Sequence, residues 1–162
     1  MKHIKLFEHF LVEATLRSGG KYKVEIQDPE KKWNRAMLSR AETLATLFEH
    51  SLKLKVKDLV VDAGTPNVTQ IFIRFENGLE FIITDRDNNL GAKSTRGKHK
   101  EWVDEFIQTM QDEGYEVNRF STYDNSRVEV MASENDLRNI KFYKKVYDAL
   151  HSAIVNANTR KR

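Results

Sequence analysis

Residues Val68–Asp85 read VTQIFIRFENGLEFIITD. Two β-rich runs flank Glu76-Asn77-Gly78. Asn-Gly between such runs is the strongest short hairpin signal a sequence carries, because a type I′ turn needs φ > 0 at both central positions. Ile71, Ile73 and Phe75 fall on one face of the first run, with partners drawn from Leu79, Phe81 and Ile83 on the second. This hairpin is the reference from which the rest of the chain is read.

Toward the N-terminus, Asp58–Asp62 (DLVVD) reads as a short buried strand, closed by Ala63-Gly64-Thr65-Pro66. Before it, Trp33, Met37, Ala41, Leu44, Phe48 and Leu52 keep helical register from Lys31 to about Leu52. Tyr22, Val24 and Ile26 alternate with Lys21, Lys23 and Glu25, the pattern of a half-buried strand, and Asp28-Pro29 ends it. Ile4, Phe7, Leu11 and Ala14 recur at helical spacing with Leu6 and Phe10 on a flank. They predict a short amphipathic helix to about Leu16, stopped by Ser18-Gly19-Gly20.

Toward the C-terminus, Asp85–Lys100 (DRDNNLGAKSTRGKHK) is polar apart from Leu90 and Ala92 and reads as a long exposed loop. Trp102, Val103, Phe106, Ile107 and Met110 form the stripe of a helix ending near Gly114. Tyr115–Phe120 and Arg127–Met131 read as a second hairpin around STYDNS. Ser133, with Asp136 at N3, is expected to cap a final helix lined by Leu137, Ile140, Tyr143, Tyr147, Leu150 and Ile154. Hairpins mixed with flanking helices point to an α+β fold rather than a doubly wound parallel sheet. The expected architecture is two β-hairpins and a further strand or two in a mainly antiparallel sheet with three longer helices, preceded by the short N-terminal helix. The expected organisation is a leading segment 1–13, a single α+β domain 14–157, and a basic tail 158–162.

The 162 residues suit one domain able to bury its own core. With no cysteine, disulfides, thiol nucleophiles and zinc–thiolate sites are excluded. The longest apolar runs are too short to cross a bilayer, so no membrane partner is expected. Lys5, Glu8 and His9 interrupt the apolar residues of the N-terminus, which therefore lacks a secretory core. The net charge of +3 rests on the final Arg160-Lys161-Arg162; without them 24 Lys+Arg face 24 Asp+Glu. The basic pI describes that end of the chain rather than a basic domain.

Few local patterns carry chemistry. Gly91–Lys98 superficially resembles a phosphate-binding loop, but its glycines are six apart and His99 stands where the metal-binding hydroxyl belongs, which argues against nucleotide hydrolysis. Its bland reading is a solvated loop. The alternative is a phosphate or nucleic-acid contact through Lys93, Arg96, Lys98 and Lys100, joined by Arg160, Lys161 and Arg162; Trp102 fits the helix stripe and is assigned to the core. Glu80, Asp85 and Asp87 sit on or just after a strand, where magnesium-dependent nucleases place oxygen ligands, but no acid-x-Lys pattern accompanies them. The histidines form no HxH or HExxH arrangement and there is no Gly-x-Ser-x-Gly elbow. No catalytic residue, metal or cofactor is assigned. Tyr143 and Tyr147 are read as core, with Lys144 and Lys145 as its rim.

The opening MKHIKLFEHFLVEA resembles the capsid-targeting peptides of internal head proteins in T-even-type tailed bacteriophages. Met1-Lys2 opens it, Leu6-Phe7-Glu8-His9-Phe10 supplies the apolar and acidic centre, and Leu11-Val12-Glu13 before Ala14 matches the prohead protease triplet, which is cut before a small residue. His9 separates Glu8 from Phe10, where the family more often has Glu next to Phe. The resemblance covers 1–14 and implies packaging through Ile4, Phe7, Glu8, Phe10 and Leu11, cleavage after Glu13, and a scaffold or core and a prohead protease as partners. It places the protein in the virion head and the host cytoplasm, with weak DNA contact through the basic end. Two other readings stand beside it: a small cytoplasmic nucleic-acid-binding or regulatory protein whose first helix is part of the fold, and the magnesium-dependent nuclease.

Overall fold

The computed structural model describes residues 21–63, 68–86, 88–94, 100–119 and 127–160. In chain order they form β1 (Val24–Ile26), α1 (Ala36–Leu52), β2 (Val56–Asp62), β3 (Gln70–Phe75), β4 (Leu79–Thr84) and β5 (Asn89–Ser94). Then come α2 (Lys100–Asp112), β6 (Val117–Arg119), β7 (Arg127–Met131), α3 (Glu134–Leu137) and α4 (Ile140–Arg160). The strands make one open seven-stranded sheet in the order β1-β2-β3-β4-β5-β7-β6. The fold is α+β with a mostly antiparallel sheet, as the mixture of hairpins and helices predicts. The short helix expected before Leu16 lies outside the described residues.

Antiparallel pairing joins β2 to β3, β5 to β7 and β6 to β7. The exception is β1, which pairs parallel to β2 with Val24 opposite Leu59 and Ile26 opposite Val61. Parallel neighbours need a crossover, and α1 supplies it. The β3–β4 connection is Glu76-Asn77-Gly78, where the sequence marks it. It is not the type I′ turn expected: Gly78 has φ 92°, and the only described non-glycine residue with positive φ is Lys53. A three-residue connection ending on a positive-φ residue is the alternative hairpin geometry, and it asks for glycine at one position rather than two.

One sequence expectation is overturned. Asp85–Lys100 is not a continuous loop, because Asn89–Ser94 forms β5 between β4 and β7. Leu90, Ala92 and Ser94 alternate onto one buried face. Asn, Gly and Lys disfavour strands by propensity, but ladder bonds to two neighbours outweigh that preference. The period-2 signal was present in Leu90 and Ala92, too small to register against the polar surroundings.

By packing, the chain divides into two compact units. One holds the described residues up to Asn77 and from Ile82 to Arg86; the other holds Gly78–Phe81 and the described residues from Asn88 onward. In the first, α1 buries Met37, Leu38, Ala41, Leu44, Ala45 and Phe48. Phe48 meets Phe75 with ring centres 5.9 Å apart. Ile73 and Ile71 share the Phe75 face and pair with Leu59 and Val61. The helix starts at Ala36, not Lys31; its N-cap, Arg35, makes no side-chain cap bond, and just ahead of it Asn34 Oδ1 accepts from the Ala36 N–H at 3.1 Å.

In the second unit, α2 buries Trp102, Val103, Phe106 and Met110, and packs on α4. Trp102 is core, as its place in the stripe predicts. The predicted final helix is two helices. Ser133 and Asp136 do form a capping box, but it serves α3 alone. The chain breaks at Arg138-Asn139, and Asn139 Oδ1 accepts from the Lys141 N–H at 3.0 Å to start α4. The buried stripe of α4 is also rotated from the predicted one. It runs through Phe142, Tyr143, Val146, Leu150, Ala153 and Ala157, leaving Ile140, Tyr147 and Ile154 half-buried on its flank. Two of the six are alanines, which residue size alone did not suggest.

Two helices end on a residue with positive φ. Gly114 (φ 93°) follows α2 and donates to the Gln111 carbonyl at 2.9 Å, while Tyr115 donates to Met110 at 3.0 Å. This is the Schellman pattern, and it needs a residue that tolerates left-handed backbone. Lys53 (φ 57°) does the same job after α1 without being glycine. Gly114→Ala is expected to cost about 1 kcal/mol and Lys53→Gly to gain about 0.5 kcal/mol, both from the same left-handed strain. Urea denaturation of the two variants checks the opposite signs.

Candidate functional site

The second unit presents two unlike sheet faces. Phe81 contacts Tyr143 of α4, ring centres 6.3 Å apart, so that face of β4 lies under the helices. Val128 and Val130 of β7 pair with Ala92 and Leu90 of β5, and all four are buried. The reverse face carries Glu80, Asn89, Gly91, Lys93, Arg127 and Glu129. Gly91 stands opposite Glu129 and Lys93 opposite Arg127. Gly91 offers no side chain to Glu129, which is held instead by Asn89, diagonal to it on β5, and by Arg127, two residues before it on β7. Asn89 Nδ2 donates to Glu129 Oε2 at 3.3 Å, and Arg127 Nη2 lies 3.7 Å from Glu129 Oε1.

This face is charged and yet sequestered: Glu80, Asn89 and Arg127 are all buried. Buried charges persist only where they are compensated. Here Glu80 and Glu129 balance Lys93 and Arg127, and none of the four is without a partner. A balanced face gives a polyanion no net attraction. Its chemistry is that of a polar layer fixing strand register, because a one-residue slip would drive these groups into the apolar face.

The first unit carries a second polar cluster, at the start of α1. Asp85 Oδ1 accepts from the Thr69 N–H at 3.0 Å, and Oδ2 accepts from Asn34 Nδ2 at 3.3 Å. The Asn34 N–H donates to Thr69 Oγ1 at 2.7 Å. Beside this knot the guanidinium carbon of Arg35 lies 5.3 Å from the Trp33 ring centre.

A third cluster ties Lys21 and Tyr22, just before β1, and the start of β2 to α1. The Tyr22 hydroxyl donates to Glu49 Oε1 at 2.8 Å, the Val56 N–H donates to Oε2 at 3.1 Å, and Lys21 Nζ lies 3.6 Å from Oε1. Burial pushes the Glu49 carboxyl up, but Tyr22, Val56 and Lys21 together outweigh burial and hold it below the usual carboxylate range. Burial first, and then Glu49, push the Tyr22 hydroxyl up. Between the ordinary glutamate pKa of about 4.3 and the lower folded value, the folded chain binds fewer protons than the unfolded one. Stability therefore falls as pH falls through that window. Glu49→Gln is expected to flatten this acid limb, read as a shallower loss of the urea midpoint between about pH 5 and pH 3.

The structure locates the expected residues unevenly. Leu11, Glu13 and Ala14, and the targeting residues Ile4, Phe7, Glu8 and Phe10, lie outside the described residues, as do Asp87, Arg96, Lys98, Lys161 and Arg162. Lys100 opens α2 and Arg160 closes α4, with side chains outside the description. Lys93 is the one expected phosphate contact whose side chain is described, and it sits on the balanced face. Of the nuclease acids, Glu80 lies on that same face, while both oxygens of Asp85 hold backbone and Asn34. Among the described residues no group of three or more His, Asp or Glu side chains is placed to hold a metal ion.

The chain matches no protein-family model, no curated protein and no solved structure. Its reading therefore rests on its own residues. Sequence reasoning passed over Asn89, Arg127 and Glu129, because β5 was hidden in the polar run. It also passed over Trp33 and Arg35, since Trp33 was absorbed into the helix register. Among the described residues no helix is long and apolar enough to cross a membrane.

Proposed function

We propose that this chain is a bacteriophage protein carried into the capsid by residues 1–13 and matured by cleavage after Glu13. The observation that carries the reading is Leu11-Val12-Glu13 followed by Ala14, behind an amphipathic run that begins Met1-Lys2. The apolar residues Ile4, Phe7 and Leu11 suit a groove on the scaffold or core, the helix-in-groove mode of recognition. Glu13 is the charge that the prohead protease reads.

In this reading the mature protein keeps Arg160-Lys161-Arg162, which meets packaged DNA through a few phosphates, weakly and in a salt-sensitive manner. The protein then acts in the head or in the newly infected cell. The test is the intact mass of the protein recovered from purified virions. A species beginning at Ala14 is expected, and Glu13→Ala is expected to leave it full length. Absence from virions would remove the packaging reading, and full-length wild-type protein in virions would remove the cleavage.

A further inference from the structure

Antiparallel sheets that face water on one side alternate apolar with polar residues. In the first unit β2 and β4 do not. β2 holds Leu59-Val60-Val61 and β4 holds Ile82-Ile83, all buried. One face is accounted for: Leu59 and Val61 pair with Ile73 and Ile71, on the Phe75 face that α1 covers. Val60 therefore points the other way, opposite Phe72. The Asp85 N–H donates to the Thr69 carbonyl, which aligns β3 with β4 so that Phe72 lies opposite Ile82. The three-residue connection from Phe75 to Leu79 sets the same register. Val60, Phe72 and Ile82 thus form one row across the face away from α1.

Val60 is 4% exposed, Ile82 is 1% exposed and Phe72 is half-buried. Neighbours within a sheet shield the flanks of a side chain, whereas its outer end is closed by a second layer. Among the described residues of this unit the one helix is α1, on the other face. The cover stops short of the sheet edge, because Lys23 and Glu25 on β1 are exposed although Glu25 pairs with Val60.

The covering layer therefore comes from chain outside the described residues, and the sequence leaves one segment fit for it. Residues 64–67, 87, 95–99 and 161–162 hold no large apolar side chain. Residues 120–126 join β6 to β7, at the far end of the strand order from β2. Residues 1–20 lead into β1, the neighbour of β2, and carry Ile4, Phe7 and Leu11 at helical spacing. Gly19-Gly20 suits a reversal of the chain ahead of β1. Ile4 to Leu11 measures about 10 Å along a helix, and β2 to β4 spans about 10 Å.

We infer that residues 1–16 dock as an amphipathic helix on the face of β2, β3 and β4 away from α1, with Ile4, Phe7 and Leu11 against Val60, Phe72 and Ile82. This is the stripe that the packaging reading offers to the scaffold, so sheet and scaffold compete for it. Docking on the sheet does not itself require packaging.

The test uses the full chain, which has no cysteine, so Glu8→Cys carries a single nitroxide beside the stripe. Paramagnetic broadening of backbone amide signals is expected to be at least fivefold stronger at Val60, Phe72 and Ile82 than at Thr43 and Leu47 on the exposed side of α1. Adding Ile4→Ser, Phe7→Ser and Leu11→Ser is expected to abolish that difference, while unshifted Thr43 and Leu47 signals report that the unit is folded. Should the triple variant not fold, Phe7→Ser alone is expected to reduce the difference at least twofold. Equal broadening on both sides, broadening confined to Thr43 and Leu47, or none at all would overturn the docking. So would broadening of a ¹⁵N chain without nitroxide by an added spin-labelled chain, which assigns the face to a second copy. Absence from virions removes packaging and leaves this result untouched, so the two readings fail separately.

Discussion

Replacing Arg74 with methionine is expected to destabilise the protein by about 3 to 5 kcal/mol, more than replacing its partner Asp58 with alanine. Arg74 on β3 and Asp58 on β2 are directly opposed. Nε donates to Oδ1 and Nη2 to Oδ2, both at 2.6 Å, a two-pronged pairing with a planar fit. The two ends differ in exposure: the Asp58 side chain is 7% exposed and the Arg74 side chain 32%. Removing Arg74 strands a carboxylate that water cannot reach. Removing Asp58 leaves a guanidinium that can still find solvent, and the expected loss is about 1 to 2 kcal/mol. The double variant is expected to lose less than the sum, since no charge is left stranded. Urea denaturation of the four proteins measures the cycle. Equal, small losses at both ends would show that the pair is solvated and contributes little.

Phe48→Ala carries the other large effect, about 3 to 5 kcal/mol. Phe48 is fully buried on α1 and packs on Phe75 of β3. Truncation removes the ring contact and leaves a cavity between a helix and a sheet, neither of which can collapse without disturbing its hydrogen bonds. With domain stabilities of about 5 to 15 kcal/mol, such a loss consumes a large part of the total. Phe48→Leu, which keeps most of the volume, is expected to cost about 1 to 1.5 kcal/mol. A small effect from alanine would mean that α1 can repack on β2 and β3. The denaturation midpoint at constant m-value reads both variants.

The candidate sites were less legible than the core. Glu80 and Lys93 could be picked out as charged residues near strands, but only the pairing of β5 with β7 puts Lys93 opposite Arg127 and within one charge-balanced face. Trp33 was legible as an apolar residue, whereas its unaccepted indole N–H is a fact of position. Hydrogen-bond satisfaction depends on what lies within about 3 Å, and that is set by segments distant in sequence.

By itself the sequence determined the elements whose signals are local. The Asn77-Gly78 hairpin, the apolar period of α1 and α2, the Gly114 stop and the capping box at Ser133 all follow from backbone sterics or nearest-turn contacts, which neighbouring residues decide. Tertiary structure decided the rest. It made a strand of Asn89–Ser94 by giving it two partners, set β1 parallel to β2 through the α1 crossover, and cut the final helix at Asn139. It turned the buried stripe of α4 so that it includes Ala153 and Ala157 and leaves Tyr147 and Ile154 half-buried. In each case a weak or contrary local preference, worth tenths of a kcal/mol to about 1 kcal/mol, yielded to ladder bonds and burial worth more.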